Sequence, residues 1–245
     1  MPYADARQKG RDRQMATEGL YHRVLGTLGP AIVAGEYPPG SVLRTEELEE
    51  RFGVSRTVVR EAVKILESMR LVASRRRVGV TVLPASEWNV FDPWVIRWRL
   101  AGADRPRQLR SLTVLRSAIE PTAAGLAADH ALPEHCARIT QRAMDMVAAA
   151  KARDLQEYLV HDIAFHRAIL DASGNEMFAR LGDVVAEVLA GRTHHHVMFS
   201  EPDPEAVRWH VEVAEAVRCG EAERAERTMR DICVGAMREL DILAP

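Results

Sequence analysis

Three residues with metal-binding side chains stand where apolar ones belong. In the segment 154–172 the inward stripe runs Leu155, Tyr158/Leu159, Asp162, Phe165/His166, Ile169. Asp162 and His166 are four apart, so a helix sets them on one face, a turn from each other. In the segment 204–218 the stripe is Val207, His210/Val211, Ala214, Val217, which turns His210 to the core as well. An inward carboxylate is costly unless it is paired or bound to metal. One buried histidine alone reads as a hydrogen-bonded core residue, and an Asp–His pair alone as a buried salt bridge. Three such groups on two inward faces favour one divalent ion, with Zn²⁺ the best match to two imidazoles and a carboxylate.

A second chemistry lies in Gly53-Val54-Ser55-Arg56-Thr57-Val58-Val59-Arg60-Glu61-Ala62-Val63-Lys64. The string reads as the turn and second helix of a helix-turn-helix. Gly53 ends a short helix, for which Thr45 is the expected N-cap, and Ser55 is the expected N-cap of the next. Val59, Val63 and Leu66 make that helix's apolar stripe, flanked by Ala62 and Ile65. Arg56 and Arg60 share its exposed face near the N-terminus, where such a helix meets base edges and where an arginine fork suits guanine. The following segment, Leu71 to Leu83, holds two β-rich runs around Arg75, Arg76, Arg77 and Gly79. It reads as a β-hairpin with a basic tip that lies on phosphates or enters the minor groove.

These groups need scaffolds, and the chain divides accordingly. Residues 1–16 are polar and aperiodic, as in a disordered tail. The spans 17–83, 84–104 and 105–245 read as a DNA-binding head, a connector rich in tryptophan, and a helical body. The head begins with an apolar helical pattern from Thr17 to about Ala34, interrupted by Gly26, Gly29 and Pro30. The connector, with Trp88, Trp94 and Trp98, is expected to pack between head and body. In the body six helical segments can be drawn, about 106–129, 134–151, 154–172, 175–199, 204–218 and 221–242. The fold class is therefore mostly α: an N-terminal winged helix-turn-helix and a C-terminal all-α antiparallel bundle. Of the chain's net charge of -2, residues 1–83 carry +4 and the remainder -6. That asymmetry suits a nucleic-acid head on a separate ligand or partner domain. No apolar run is long enough for a membrane span, no secretory leader is evident, and the three cysteines are scattered. A reducing cytoplasm is expected.

The span from about 20 to 83 resembles the winged helix of the GntR superfamily of bacterial transcription regulators. The resemblance rests on Pro39-Gly40, the Leu43 to Leu48 segment, Val54-Ser55-Arg56-Thr57, Val59-Arg60-Glu61-Ala62 and Gly79. It implies DNA contact by Arg56, Thr57 and Arg60 and by the hairpin tip at Arg75, Arg76, Arg77 and Gly79. Some members have a further DNA-contacting arginine where this chain has Glu47. The usual small residue before the wing is Arg70 here, a candidate for one more phosphate contact.

The body resembles the FCD ligand-binding domain of the FadR-type branch. Asp162-x-x-Phe165-His166 matches that domain's motif, and His210 its next metal ligand; a fourth, a histidine in many members, falls at Ile232. Arg116, in Arg116-x-x-x-Glu120-Pro121, matches an arginine that faces the cavity and can clamp an effector carboxylate. Read without the family, Arg116 is a surface arginine pairing with Glu120. Trp88-Asn89, Asp92, Val95 and Trp98, with Arg116 to Pro121, resemble repressors of sugar-acid operons. The implied protein is no enzyme. It is a homodimeric repressor of a sugar-acid operon, released from double-stranded operator DNA by a gluconate- or galactonate-like carboxylate. His194, His195 and His196 are surface residues by default and candidates to line the effector cavity. Other carboxylates, such as lactate, remain open as effectors. A metal-dependent hydrolase is the rival class, and a ligand-free architectural protein a third.

Overall fold

The computed structural model describes residues 19–75, 78–194 and 201–243. Two compact units divide the chain, Met1–Ala103 and Asp104–Pro245. In the first unit, helix α1 (residues 19–33) leads to strand β1 (Val42–Leu43), helix α2 (Thr45–Phe52) and helix α3 (Arg56–Ser68). Strands β2 (Val72–Arg75) and β3 (Gly79–Val82) follow, then a 3₁₀ turn (Ala85–Glu87) and helix α4 (Pro93–Ala101). The β2–β3 pair is antiparallel, with Arg75 opposite Gly79 and Val72 opposite Val82. Strand β1 completes the sheet on the other side of β3, in the order β1-β3-β2.

Helix α3 forms because its apolar positions recur at helical spacing. Val58, Val59, Ala62, Val63 and Leu66 are buried, whereas Ile65 is only partly so. Gly53 closes α2 in the left-handed region at φ 61°, and its N–H donates to Glu49 and Glu50 carbonyls. The expected caps differ in detail. Ser55 holds the N-cap position of α3 without a side-chain capping bond. Thr45 is the first helical residue of α2, and Arg44 takes the cap position. Gly79 sits at φ +115°, and a Cβ there would approach Val42 Cγ1 to 3.0 Å, so the point where β1 meets the wing needs glycine. Arg70 adopts φ 58° just before the wing, which explains why a small residue is usual there, and its guanidinium lies 3.4 Å from Glu87.

Gly26, Gly29 and Pro30 do not interrupt α1. At Gly29 a Cβ would fall 2.2 Å from the Trp98 ring, so the absent side chain is filled by the tryptophan. Val95 and Trp98 of α4 are buried in the same core as Val24, Leu28 and Leu66, with Trp88 and Trp94 packed against it. The connector residues thus complete the core of the first unit. Asp92 caps α4 by accepting from the Trp94 and Val95 N–H groups at 2.9 and 3.4 Å.

The second unit is helical throughout its described residues: α5 (Arg105–His130), α6 (Pro133–Ala152), α7 (Leu155–Ala172), α8 (Glu176–Arg180), α9 (Gly182–His194), α10 (Pro204–Cys219) and α11 (Ala222–Leu243). The segment expected as one helix over 175–199 is two, parted at Leu181. Asn175 caps α8 through the Met177 and Phe178 N–H groups. Around the core of Phe165, Ile169, Leu189, Val213 and Met229 pack α5, α6, α7, α9, α10 and α11. No helix among the described residues is long and apolar enough to cross a membrane.

Candidate metal and effector site, and the nucleic-acid face

Helices α7 and α10 bring Asp162, His166 and His210 together, all three buried. His166 Nε2 is 3.2 Å from Asp162 Oδ1, His210 Nε2 is 3.3 Å from the same oxygen, and the two Nε2 atoms are 3.3 Å apart. Donor atoms bound at about 2.0–2.2 Å to one ion lie roughly 3.0–3.5 Å from one another. The outer ring atoms fix which nitrogens face inward. His210 Nδ1 lies 2.6 Å from the Ala206 carbonyl, and His166 Nδ1 lies 2.8 Å from Glu120 Oε2. The Ala206 carbonyl calls for N–H at Nδ1 of His210, and the Glu120 carboxylate beside Nδ1 of His166 favours the same tautomer there, so in neutral rings both Nε2 lone pairs point at the Asp162 carboxylate. With both rings neutral, three acceptors converge on one point and repel one another unless a proton or a cation joins them. Asp162 Oδ1 has no hydrogen-bond partner among the described residues. The donor set therefore fits a divalent ion, held as a two-histidine, one-carboxylate face.

Glu120 is the group that sequence reasoning treated only as a partner for Arg116. It is a node. Arg116 Nε and Nη2 donate to its two oxygens at 2.7 and 3.1 Å, and His166 approaches from the other side. Burial opposes ionisation of Glu120, but the charges of Arg116 and His166 outweigh it and hold the carboxyl down at about 2. Burial likewise opposes the charge on Asp162, yet hydrogen bonds and charge from His166 and His210, when their Nε2 atoms carry a proton in place of a bound cation, hold it well below the usual carboxylate range. For His166, burial disfavours the cation, and Glu120 and Asp162 more than offset that, so its pKa is raised.

Arg116 is 1% exposed. The reading of it as a surface residue is wrong, although the predicted pairing with Glu120 is present. Its Nη2 is also 3.4 Å from His166 Nε2, and its Nη1 finds no partner among the described residues. Arg116 and the triad line one cavity, with Ile232 at its wall. Including open solvent at its mouth, the cavity region holds about 470 Å³ of empty space. Tyr158, Arg192 and Glu239 also line it, and none was singled out as a site residue from the sequence. His194 ends α9, but its side chain, His195 and His196 lie outside the described residues.

In the first unit, Arg56, Arg60, Lys64, Arg75 and Gly79 border one groove between α3 and the wing. Arg56, Thr57 and Arg60 are exposed, as is Arg75; Arg76 and Arg77 lie outside the described residues. Glu67 of α3 accepts the Ser74 N–H at 2.6 Å and so ties wing to helix. The acid that reaches Arg56 is Glu46, at 3.6 Å, whereas Glu47 lies 3.8 Å from Arg44.

The model of bacterial regulatory proteins of the gntR family matches residues 20–82, and that of the FCD domain matches residues 111–234. The galactonate operon transcriptional repressor of Escherichia coli is 30% identical over 220 residues, covering 89% of this chain and 95% of that protein. The transcriptional regulator LutR of Bacillus subtilis is 30% identical over 201 residues, covering 80% and 89%. Among solved structures, that of Lar, which controls expression of the Listeria monocytogenes agr system, superposes with a TM-score of 0.59 at 20% identity, over 91% of this chain and 97% of that one. It shares the fold. The winged helix, the buried triad in a helical bundle, and these matches along nearly the whole chain make it a member of the GntR family of DNA-binding transcription regulators, with an FCD domain.

Proposed function

We propose that this regulator is a homodimeric repressor of a sugar-acid operon, released from its operator by a gluconate- or galactonate-like effector bound in the α5–α11 cavity. The observation that carries the reading is the shared wall: the Asp162, His166 and His210 triad and the Arg116 guanidinium face one cavity. In this reading the triad holds one Zn²⁺ ion. When bound, the ion supplies a Lewis-acidic centre with positions open to a carboxylate and its adjacent hydroxyl. Arg116 supplies a fixed cation, and its Nη1 is free of hydrogen bonds to the described residues and able to take a carboxylate oxygen in a charge-assisted bond. Glu120 orients both Arg116 and His166 and keeps the His166 Nε2 lone pair directed inward. Similarity to the galactonate operon repressor supports the sugar-acid class.

On the head, Arg56, Thr57 and Arg60 read base edges, while Arg75, Arg76, Arg77 and the Gly79 turn sit on the backbone or in the minor groove. A single winged helix reads too few bases for useful specificity, so two copies on an inverted repeat are expected. The test has two parts. Elemental analysis of protein prepared without chelator should find about one zinc per chain. Gluconate or galactonate should raise the melting temperature and release a labelled operator fragment. Zinc-free protein that takes up no metal on titration, or operator binding indifferent to every sugar acid, would sink the reading.

A further inference from the structure

The cavity has a second charged end that neither the triad nor Arg116 accounts for. Arg192 of α9 is 7% exposed, and its Nη2 donates to Glu239 of α11 at 2.5 Å. Its Nε has no hydrogen-bond partner among the described residues. Both side chains line the same cavity as the triad. Burial weakens the pair, shifting Arg192 down and Glu239 up despite their mutual attraction. Such a pair is poorly compensated by packing alone and would gain from polar company.

The spacing of the two ends is set by α11. Ile232 and Cys233 lie at the level of the triad, because Cys233 Sγ is 3.9 Å from Glu120 Oε2, which contacts His166. Glu239 is seven residues beyond Ile232, a rise of about 10 Å along the helix. An extended six-carbon chain, with five carbon–carbon bonds of about 1.5 Å, spans roughly 6 Å between its end carbons, whereas a three-carbon acid spans roughly 2.5 Å. With its carboxylate at the triad and Arg116, a longer chain extends farther along α11 toward Glu239 than a shorter one.

The chemistry of that end narrows the ligand further. Arg192 offers a donor, and Glu239 and Asp203 offer carboxylate oxygens, with Tyr158 alongside. Asp203 is held there as the N-cap of α10, accepting the Glu205 N–H at 2.9 Å. A donor beside acceptors suits hydroxyl groups, which do both. A second carboxylate would instead meet Glu239 and Asp203 with like charge.

We propose that Arg192 and Glu239 form a polyol-reading subsite, which selects a five- or six-carbon polyhydroxy monocarboxylate over short hydroxy acids and over dicarboxylates. The proposal rests on the effector reading above and assigns the residues that set its specificity. The test is calorimetric titration of the zinc-loaded full chain with gluconate, lactate and galactarate, for the parent, Glu239→Gln and Arg192→Met. The parent should prefer gluconate to both others. Each variant should lose roughly tenfold in gluconate affinity, the scale of one charge-assisted hydrogen bond, while lactate affinity and zinc uptake stay unchanged. Glu239→Gln should also move the galactarate-to-gluconate ratio toward galactarate. Equal losses for gluconate and lactate, or no loss at all, overturn the subsite and leave the effector reading standing. A parent that binds lactate as tightly as gluconate overturns the subsite alone; a parent that binds no hydroxy acid overturns both. If both variants lose zinc uptake and melt early, the pair is a structural brace and the subsite is refuted.

Discussion

The triad works through what stands behind it. His166 meets the proposed ion with Nε2 only because Glu120 occupies its Nδ1 side, and Glu120 is itself fixed by two bonds from Arg116. Removing the charge while keeping the shape isolates that role. Glu120→Gln should weaken zinc binding about 10–100-fold, the usual cost of losing such an outer partner, as read by competition with a chromogenic chelator; unchanged affinity would show that Glu120 only neutralises Arg116. On the other unit, Arg56→Ala and Arg60→Ala should each cost about 1–3 kcal/mol of operator affinity and relax base preference, and operator titrations that match the parent for both would remove α3 from base reading. Asp162, His166 and His210 were legible in the sequence because helical period sets each of them in an apolar stripe, a misfit visible without a fold. Glu120, Arg192 and Glu239 were not. Charged residues default to the surface, and the partners that bury them are distant in sequence: Arg192 and Glu239 are 47 residues apart, and Cys233 and Glu120 are 113 apart.

Helices were legible where periodicity and breakers agreed, as for α3, α6, α7 and α10. The reading was poorest where a local signal competed with a contact from elsewhere. Gly26, Gly29 and Pro30 speak against a helix locally, yet α1 runs through them because Trp98 of α4 fills the space over Gly29. The same distance hid the role of the connector: its tryptophans supply core to the first unit, which only the packing reveals. The break at Leu181 had a signal in Gly182, the first residue of α9, but one glycine inside a helical period does not by itself end a helix. Strand β1, two residues long, is too short for a period-2 pattern and exists by pairing with β3. The Gly29 contact is directly testable. Gly29→Ala gains helix propensity but drives a methyl into the Trp98 ring, with a Cβ 2.2 Å from its nearest atom. Overpacking of this kind typically costs about 1–3 kcal/mol, so the first unit should unfold at lower denaturant, followed by tryptophan fluorescence. A variant as stable as the parent or more so would mean that the ring moves aside freely.

At the scale of the whole molecule, one unit carries the groove of α3 and the wing, and the other carries the cavity. A sugar acid can lower operator affinity only as far as it prefers the released state over the DNA-bound one. By linkage the operator must weaken effector binding by the same factor, and couplings between sites commonly lie at about 5–150-fold. The two functions should therefore separate cleanly by mutation. Arg116 is buried in the second unit, against Glu120 and His166, and belongs to none of the surfaces that border the α3–wing groove. Arg116→Ala leaves Glu120 buried without its main partner, so a melting temperature below the parent's is expected. The near-isosteric Arg116→Met retains bulk and serves beside it. Both should keep operator affinity within about threefold of the parent, a shift of less than 1 kcal/mol, while gluconate no longer releases the DNA. In cells this is permanent repression. If either variant, folded and operator-bound, still lets go at the parent's gluconate concentration, Arg116 is a structural cation of the bundle and the carboxylate is held by the metal face alone.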